Sequence, residues 1–121
     1  MVYTLLGVIC MTKFLFILLT LILFSLTSSD AAIYKGQRIF IKKCLKCHKD
    51  GQNFIGKYKM KEWKKFMKKK GKKLAEIHLK NPKAKKSWKY FKSKKYSKKS
   101  KHLKQFLVEY AKDSGNVPAC N

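Results

Sequence analysis

Hydrophobic positions follow two regimes along the 121 residues. Phe14 to Leu26 is almost continuously apolar, whereas from Ile33 onward apolar residues come in runs of three at most, many of them at intervals of three and four. Such intervals gather side chains on one face of an α-helix, which turns every 3.6 residues. Gly36, Phe40 and Cys44, with Ile33, Ile41 and Leu45 beside them, predict an amphipathic helix from Ile33 to Lys46. Asp50-Gly51-Gln52-Asn53 reads as a turn. Met60, Trp63, Phe66 and Met67 recur at helical spacing, as do Leu74, Ile77 and His78, with Gly71 separating the two stretches and Asn81-Pro82 ending the second. Trp88, Phe91 and Tyr96 form a shorter, weaker pattern. Leu103, Phe106, Leu107 and Tyr110 predict the buried stripe of a closing helix, capped by Ser100 and stopped at Gly115. No run alternates with the period of a half-buried strand, and no internal repeat stands out. The expectation is a small all-α domain of about four helices.

The apolar opening is a different object. Met11-Thr12-Lys13 supplies one positive charge, Phe14–Leu26 is mostly apolar, and small polar residues follow, which is the layout of a secretory signal. Ser29-x-Ala31 sets small residues at −3 and −1, so residues 1–31 are expected to be a cleaved signal peptide and 32–121 the mature domain. Met1 to Cys10 lack a basic n-region, which makes Met11 a candidate true start. Leu5 to Leu26 is also long enough to span a bilayer, so a retained anchor that tethers the body is the alternative. Either way the body is exported, and a periplasmic location is expected.

Export changes how the cysteines read. Cys10 goes with the leader, leaving Cys44, Cys47 and Cys120, an odd number where disulfides persist. A pure disulfide scaffold does not fit that count. Cys120, in the tail, pairs between chains or stays free, and no chemistry is assigned to it.

Charge sharpens the division. The chain carries 30 Lys plus Arg against 6 Asp plus Glu, a formal net charge of +24. Up to Leu26 the single charge is Lys13, so nearly all of that excess sits on the body. A domain this small buries little surface, and lysine repulsion weakens its compact state further. A covalently held apolar cofactor would supply the missing core.

Cys44-Leu45-Lys46-Cys47-His48 is the attachment signature of c-type haem. Two thiols three positions apart each form a thioether with a haem vinyl group, and the adjacent imidazole reaches the iron as proximal ligand. A thioredoxin-like disulfide would need a preceding strand and a βαβ context. A structural zinc site would need a second closely spaced ligand pair, which His78, His102 and Cys120 do not make. Haem c, one group bound through Cys44, Cys47 and His48, is the expectation.

With Gly36-x-x-x-Phe40-x-x-x-Cys44-x-x-Cys47-His48 near the mature N-terminus and Leu103, Phe106, Leu107 and Tyr110 in the closing helix, the chain resembles a small class I monohaem cytochrome c. The resemblance covers both ends of the mature chain, while Met60 to Ser100 matches poorly. It implies that the first and last helices cross, with Gly36 and Phe40 set against Phe106 and Tyr110. Members usually take their sixth iron ligand from a Met shortly before the last helix. Here the methionines are Met1, Met11, Met60 and Met67, none in that segment, and Met60 and Met67 read as core packing beside Trp63 and Phe66. His78 and His102 are the candidate distal ligands, with His78 preferred because it precedes the last helix. Five-coordinate iron and a Lys ligand remain open. A His–His pair would give a lower potential than His–Met, and an open position would admit exogenous ligands.

The functional expectation is an exported electron carrier, a monomer rather than an enzyme, cycling Fe(III)/Fe(II) between redox partners. A haem-based sensor or ligand-binding protein with a labile sixth site is the first alternative, and a haem-free cationic binding protein the second. The lysines would steer encounters with an acidic oxidase, reductase or peroxidase, or with an anionic membrane surface. Trp63, Trp88, Tyr90, Phe91 and Tyr96 interleave with Lys as nucleic-acid stacking platforms do, but export removes that ligand.

Overall fold

Every regular element among the described residues of the computed structural model, 13–17 and 28–118, is helical. The chain divides into two units, Met1–Asp30 and Ala31–Asn121. In the first, residues 13–17 are helical, and no helix among the described residues is long and apolar enough to cross a membrane. Most of the expected signal peptide, including Cys10 and Met11, lies outside the described residues, as does Cys120.

The second unit carries α1 (Ser28–Lys43, which begins just before it), α2 (Gly51–Ile55), α3 (Met60–Phe66), α4 (Lys68–Leu79), a 3-10 turn (Pro82–Ser87), α5 (Trp88–Phe91) and α6 (Lys94–Glu109). The long amphipathic segments are where the periodicity puts them; the additional elements are short. α1 stops at Lys43, before the predicted Lys46, because the amides of Cys44 and Leu45 both donate to Phe40 O (2.8 and 3.1 Å) and the ladder ends there. The predicted turn at Asp50 begins a helix instead. Asp50 O accepts from Phe54 N (2.8 Å), and the turn buries Ile55 completely.

Ser100 does not cap the last helix. That role belongs to Ser93, whose Oγ accepts from Tyr96 N at 3.2 Å. The intervening turn buries Tyr96, so the inward stripe runs Tyr96, Ser100, Leu103, Phe106 and Leu107. Ser100 is buried within it and donates to Ser97 O at 2.9 Å. Four exposed lysines, Lys94, Lys95, Lys98 and Lys99, mask that first turn in the sequence.

Gly71 breaks the chain where expected, through a left-handed turn. Lys69, Lys70 and Gly71 have φ of 49°, 57° and 78°, a region that costs non-glycine residues about 1–3 kcal/mol each. Tyr96 holds the turn by donating from its hydroxyl to Gly71 O at 2.7 Å.

Helices α1 and α6 meet at a glycine. A Cβ on Gly36 would stand 2.6 Å from Phe106 Cβ and also run into the carbonyl of His102, so the two backbones are as close as glycine permits. One turn on, the Phe40 and Phe106 rings lie 5.5 Å apart, and Tyr110 meets Phe106 edge-on at 5.1 Å. Phe40, Ile55, Trp63, Met67, Phe91, Leu103, Phe106 and Leu107 form one buried cluster around this crossing. Trp63 is fixed in it by a bond from Nε1 to Ile55 O (3.0 Å). Two of the few acids hold the entry to α3, where backbone amides lack helical partners: Glu62 accepts from Lys59 N (2.8 Å) and Asp113 from Met60 N (2.7 Å).

Candidate cofactor site

The cysteine turn follows α1 directly. Cys44 O accepts from Cys47 N (3.1 Å) and His48 N (2.9 Å), a tight turn that continues past the last regular residue of the helix. Cys44 is half-buried and Cys47 exposed, and both are thiols. Burial, and secondarily the Cys47 sulfur, push the Cys44 thiol up to about 12, so it stays protonated at neutral pH. Burial first, and the neighbouring His78 ring and Lys57 second, hold the His48 imidazole below its ordinary value and favour its neutral form. A neutral imidazole is the form that binds a metal. Phe54, on α2, stacks on the His48 ring with centres 3.8 Å apart and planes 22° apart.

His78 comes from the last turn of α4. Its Nδ1–H donates to Leu74 O at 2.8 Å. A carbonyl can only accept, so this bond assigns the proton to Nδ1 and leaves the Nε2 lone pair available. Phe91 stacks on the ring at 4.2 Å and 26°. The ring centres of His48 and His78 are 6.1 Å apart and their planes are nearly perpendicular, at 84°.

Both imidazoles and both cysteines line one cavity of about 310 Å³, a size within the roughly 300–1,000 Å³ of cofactor pockets. Phe40, Phe54, Trp63 and Phe66 form much of its apolar wall, with Leu74, Phe91, Leu103 and Leu107. Lys43, Asn81, Lys83 and Ser87 add polar groups.

These residues fit haem on three counts. The two thiols are three positions apart in the chain and both line the cavity, and the wall is apolar and aromatic. A metal bound by an imidazole nitrogen at about 2 Å lies about 3 Å from the ring centre, so the 6.1 Å between the His48 and His78 ring centres is a separation that one metal between them could bridge.

The other candidates lie elsewhere. His102 does not line the cavity; its carbonyl packs against Gly36, and its Nδ1 is buried without a hydrogen-bond partner. Met67 is buried in the core and Met60 packs partly buried against it, and neither lines the cavity. No group of three His, Cys, Asp or Glu side chains among the described residues converges as a metal-ion site. Sequence reasoning misses the two rings that orient the imidazoles. Phe54 falls beside the segment that reads as a turn, and Phe91 sits in the weakly patterned stretch. An aromatic six residues beyond His48 is the one signal that points to the first.

Neither a scan against protein-family models nor searches of curated proteins and of solved structures find a match for this chain.

Proposed function

We propose that Cys44 and Cys47 hold one haem covalently, that His48 and His78 would hold its iron, and that the protein is a cytochrome c-like carrier of single electrons. The observation that carries this reading is the placement of the cysteine pair, its adjacent imidazole and a second imidazole around one apolar cavity, the two rings 6.1 Å apart. Once bound there, haem supplies a one-electron Fe(III)/Fe(II) couple. The chain's own contribution is to shield that couple from water with aromatic side chains and to present two neutral nitrogens to the metal. The close crossing at Gly36 supports the likeness to class I cytochromes c. A sensor with an open sixth position is the second reading, and the preset tautomer of His78 favours the carrier over it.

In this reading the body works outside the cytoplasm as a monomer, and its lysines steer an acidic partner protein toward the cavity, whose lining includes Lys43 and Lys83. Electron transfer to such a partner is expected to slow about tenfold or more between low and near-molar salt. A rate independent of ionic strength in stopped-flow mixing would remove that role from the lysines.

The ligand assignment is tested by spectra of single variants. Wild type is expected to be six-coordinate and low-spin in both oxidation states. His78→Ala should lose the low-spin spectrum and bind carbon monoxide rapidly when reduced, whereas His102→Ala should keep the wild-type spectrum. The reverse pattern would transfer the sixth ligand to His102.

A further inference from the structure

We infer that Trp88 is a positioning residue for His78, a latch that keeps this imidazole at its post and the sixth position shut. The inference rests on the haem reading above. His78 lies one residue from the end of α4, where carbonyls have no further helical amides to accept from. Its carbonyl accepts from Asn81 N (3.2 Å) and, from across the 3-10 turn, from the Trp88 indole Nε1–H at 2.9 Å. One turn further along α5, Phe91 stacks on the same residue's ring. A single helical turn thus grips His78 twice, backbone through Trp88 and imidazole through Phe91. The Leu74 bond sets the tautomer but comes from the same helix as His78, so it moves with α4. Trp88 and Phe91 tie His78 to a different element, and Trp88 does so by a bond that needs an indole N–H. Lys92 Nζ sits 5.6 Å from the centre of the Trp88 ring, within cation–π range.

A ligand held by such a latch leaves the iron rarely, and an exogenous ligand can enter only when it does. Losing one hydrogen bond of this kind raises the population of the open arrangement by about 2- to 12-fold. Trp88→Phe keeps the ring under Lys92 and removes the donor. In the ferrous, haem-loaded protein, carbon monoxide binding limited by departure of His78 should therefore be about 2- to 12-fold faster in Trp88→Phe than in wild type. Phe91→Leu should accelerate it as well. Ser93→Ala, which weakens the α6 cap without touching His78, gives a destabilised control whose rate should match wild type. A readout independent of the iron is nitrogen NMR of the chain without haem. The Trp88 indole proton should be protected from exchange in wild type, and in Trp88→Phe the His78 ring signals should shift while the Nδ1–H tautomer set by Leu74 is kept.

Unchanged carbon monoxide kinetics in Trp88→Phe, or acceleration equal to that of Ser93→Ala, would overturn the latch and leave the haem reading standing. If Trp88→Phe does not fold, a freely exchanging Trp88 indole proton in wild type overturns it equally. A wild-type protein that takes up no haem overturns the haem reading itself.

Discussion

Replacing Cys44 and Cys47 together by serine is expected to yield a protein whose haem passes entirely into acidified organic solvent, whereas wild type retains all of its haem through the same extraction. Serine preserves the turn, because the bonds that close it run from the Cys47 and His48 amides to the Cys44 carbonyl and not to either side chain. What it removes is the nucleophilic sulfur, and with it both thioethers. His48, His78 and the apolar wall would remain, so the variant is expected to bind haem reversibly instead of losing the site. A covalent tether holds a group at an effective concentration in the millimolar range or above, and a group bound only to the native state stabilises it in proportion to its occupancy. The double variant is therefore also expected to melt lower than wild type, and to recover stability as haem is added. Each single serine variant keeps one thioether and should resist extraction. Haem that stays with the doubly substituted chain would mean that another residue makes the attachment.

The second large effect is on the fold. Gly36→Ala adds one carbon where α1 meets α6, at a point already closed by Phe106 Cβ and the His102 carbonyl. Neither obstacle is the free end of a flexible side chain, so the two helices must separate. Overpacking of a tight core costs about 1–3 kcal/mol and occasionally more, and a backbone obstacle puts this site at the upper end. For a domain of about 90 residues, a loss of about 3 kcal/mol lowers the thermal midpoint by about 12–24 °C. Gly56→Ala is the matched control. Gly56 has ordinary right-handed angles (φ −69°, ψ −3°), and the nearest atom to its added carbon is 3.5 Å away. It is expected to be neutral or stabilising by up to about 1 kcal/mol, through the unfolded chain. Circular dichroism melts of the two variants decide the matter. If Gly36→Ala melts within a few degrees of Gly56→Ala, the helices do not touch as described.

Both predictions depend on features that the amino-acid pattern alone makes readable. The long helices are legible because Phe40, Trp63, Leu103 and Phe106 mark their buried faces at helical intervals, and the glycine at the crossing stands four residues before Phe40. The cysteine turn is legible because Cys44-x-x-Cys47-His48 is a motif whose spacing is recognisable in the chain itself. The short elements are not. In α2 and α5 too few residues are present for periodicity to register, and their decisive side chains, Phe54 and Phe91, act on histidines that lie outside their own elements. The start of α6 is hidden for a different reason. Its first turn is made of lysines around a single buried Tyr96, so the apolar pattern begins later than the helix, and Ser100 looks like a cap when it lies inside. The left-handed angles of Lys69 and Lys70 have no sequence signal, since lysine rarely adopts them. Between His78 and His102, position along the chain provides only a preference; the cavity lining separates them in space.

Of the two histidines, one carries the electronic character of the site. His78 donates through Nδ1 to a carbonyl, and this second bond makes its free nitrogen a stronger donor. His48 has an aromatic face and a depressed basicity from burial and its cationic surroundings. The pair is therefore asymmetric, and the lysine-rich body would surround a haem bound there with a positive field that favours its more negative, reduced form.

The central claim is that Cys44 and Cys47 carry haem. The most direct measurement is the absorption spectrum of the purified, exported protein, reduced in alkaline pyridine after extraction with acidified acetone. A sharp α-band of the c type, retained by the polypeptide at one haem per chain, is the predicted result. A colourless polypeptide in which Cys44 and Cys47 both titrate as free thiols would contradict it.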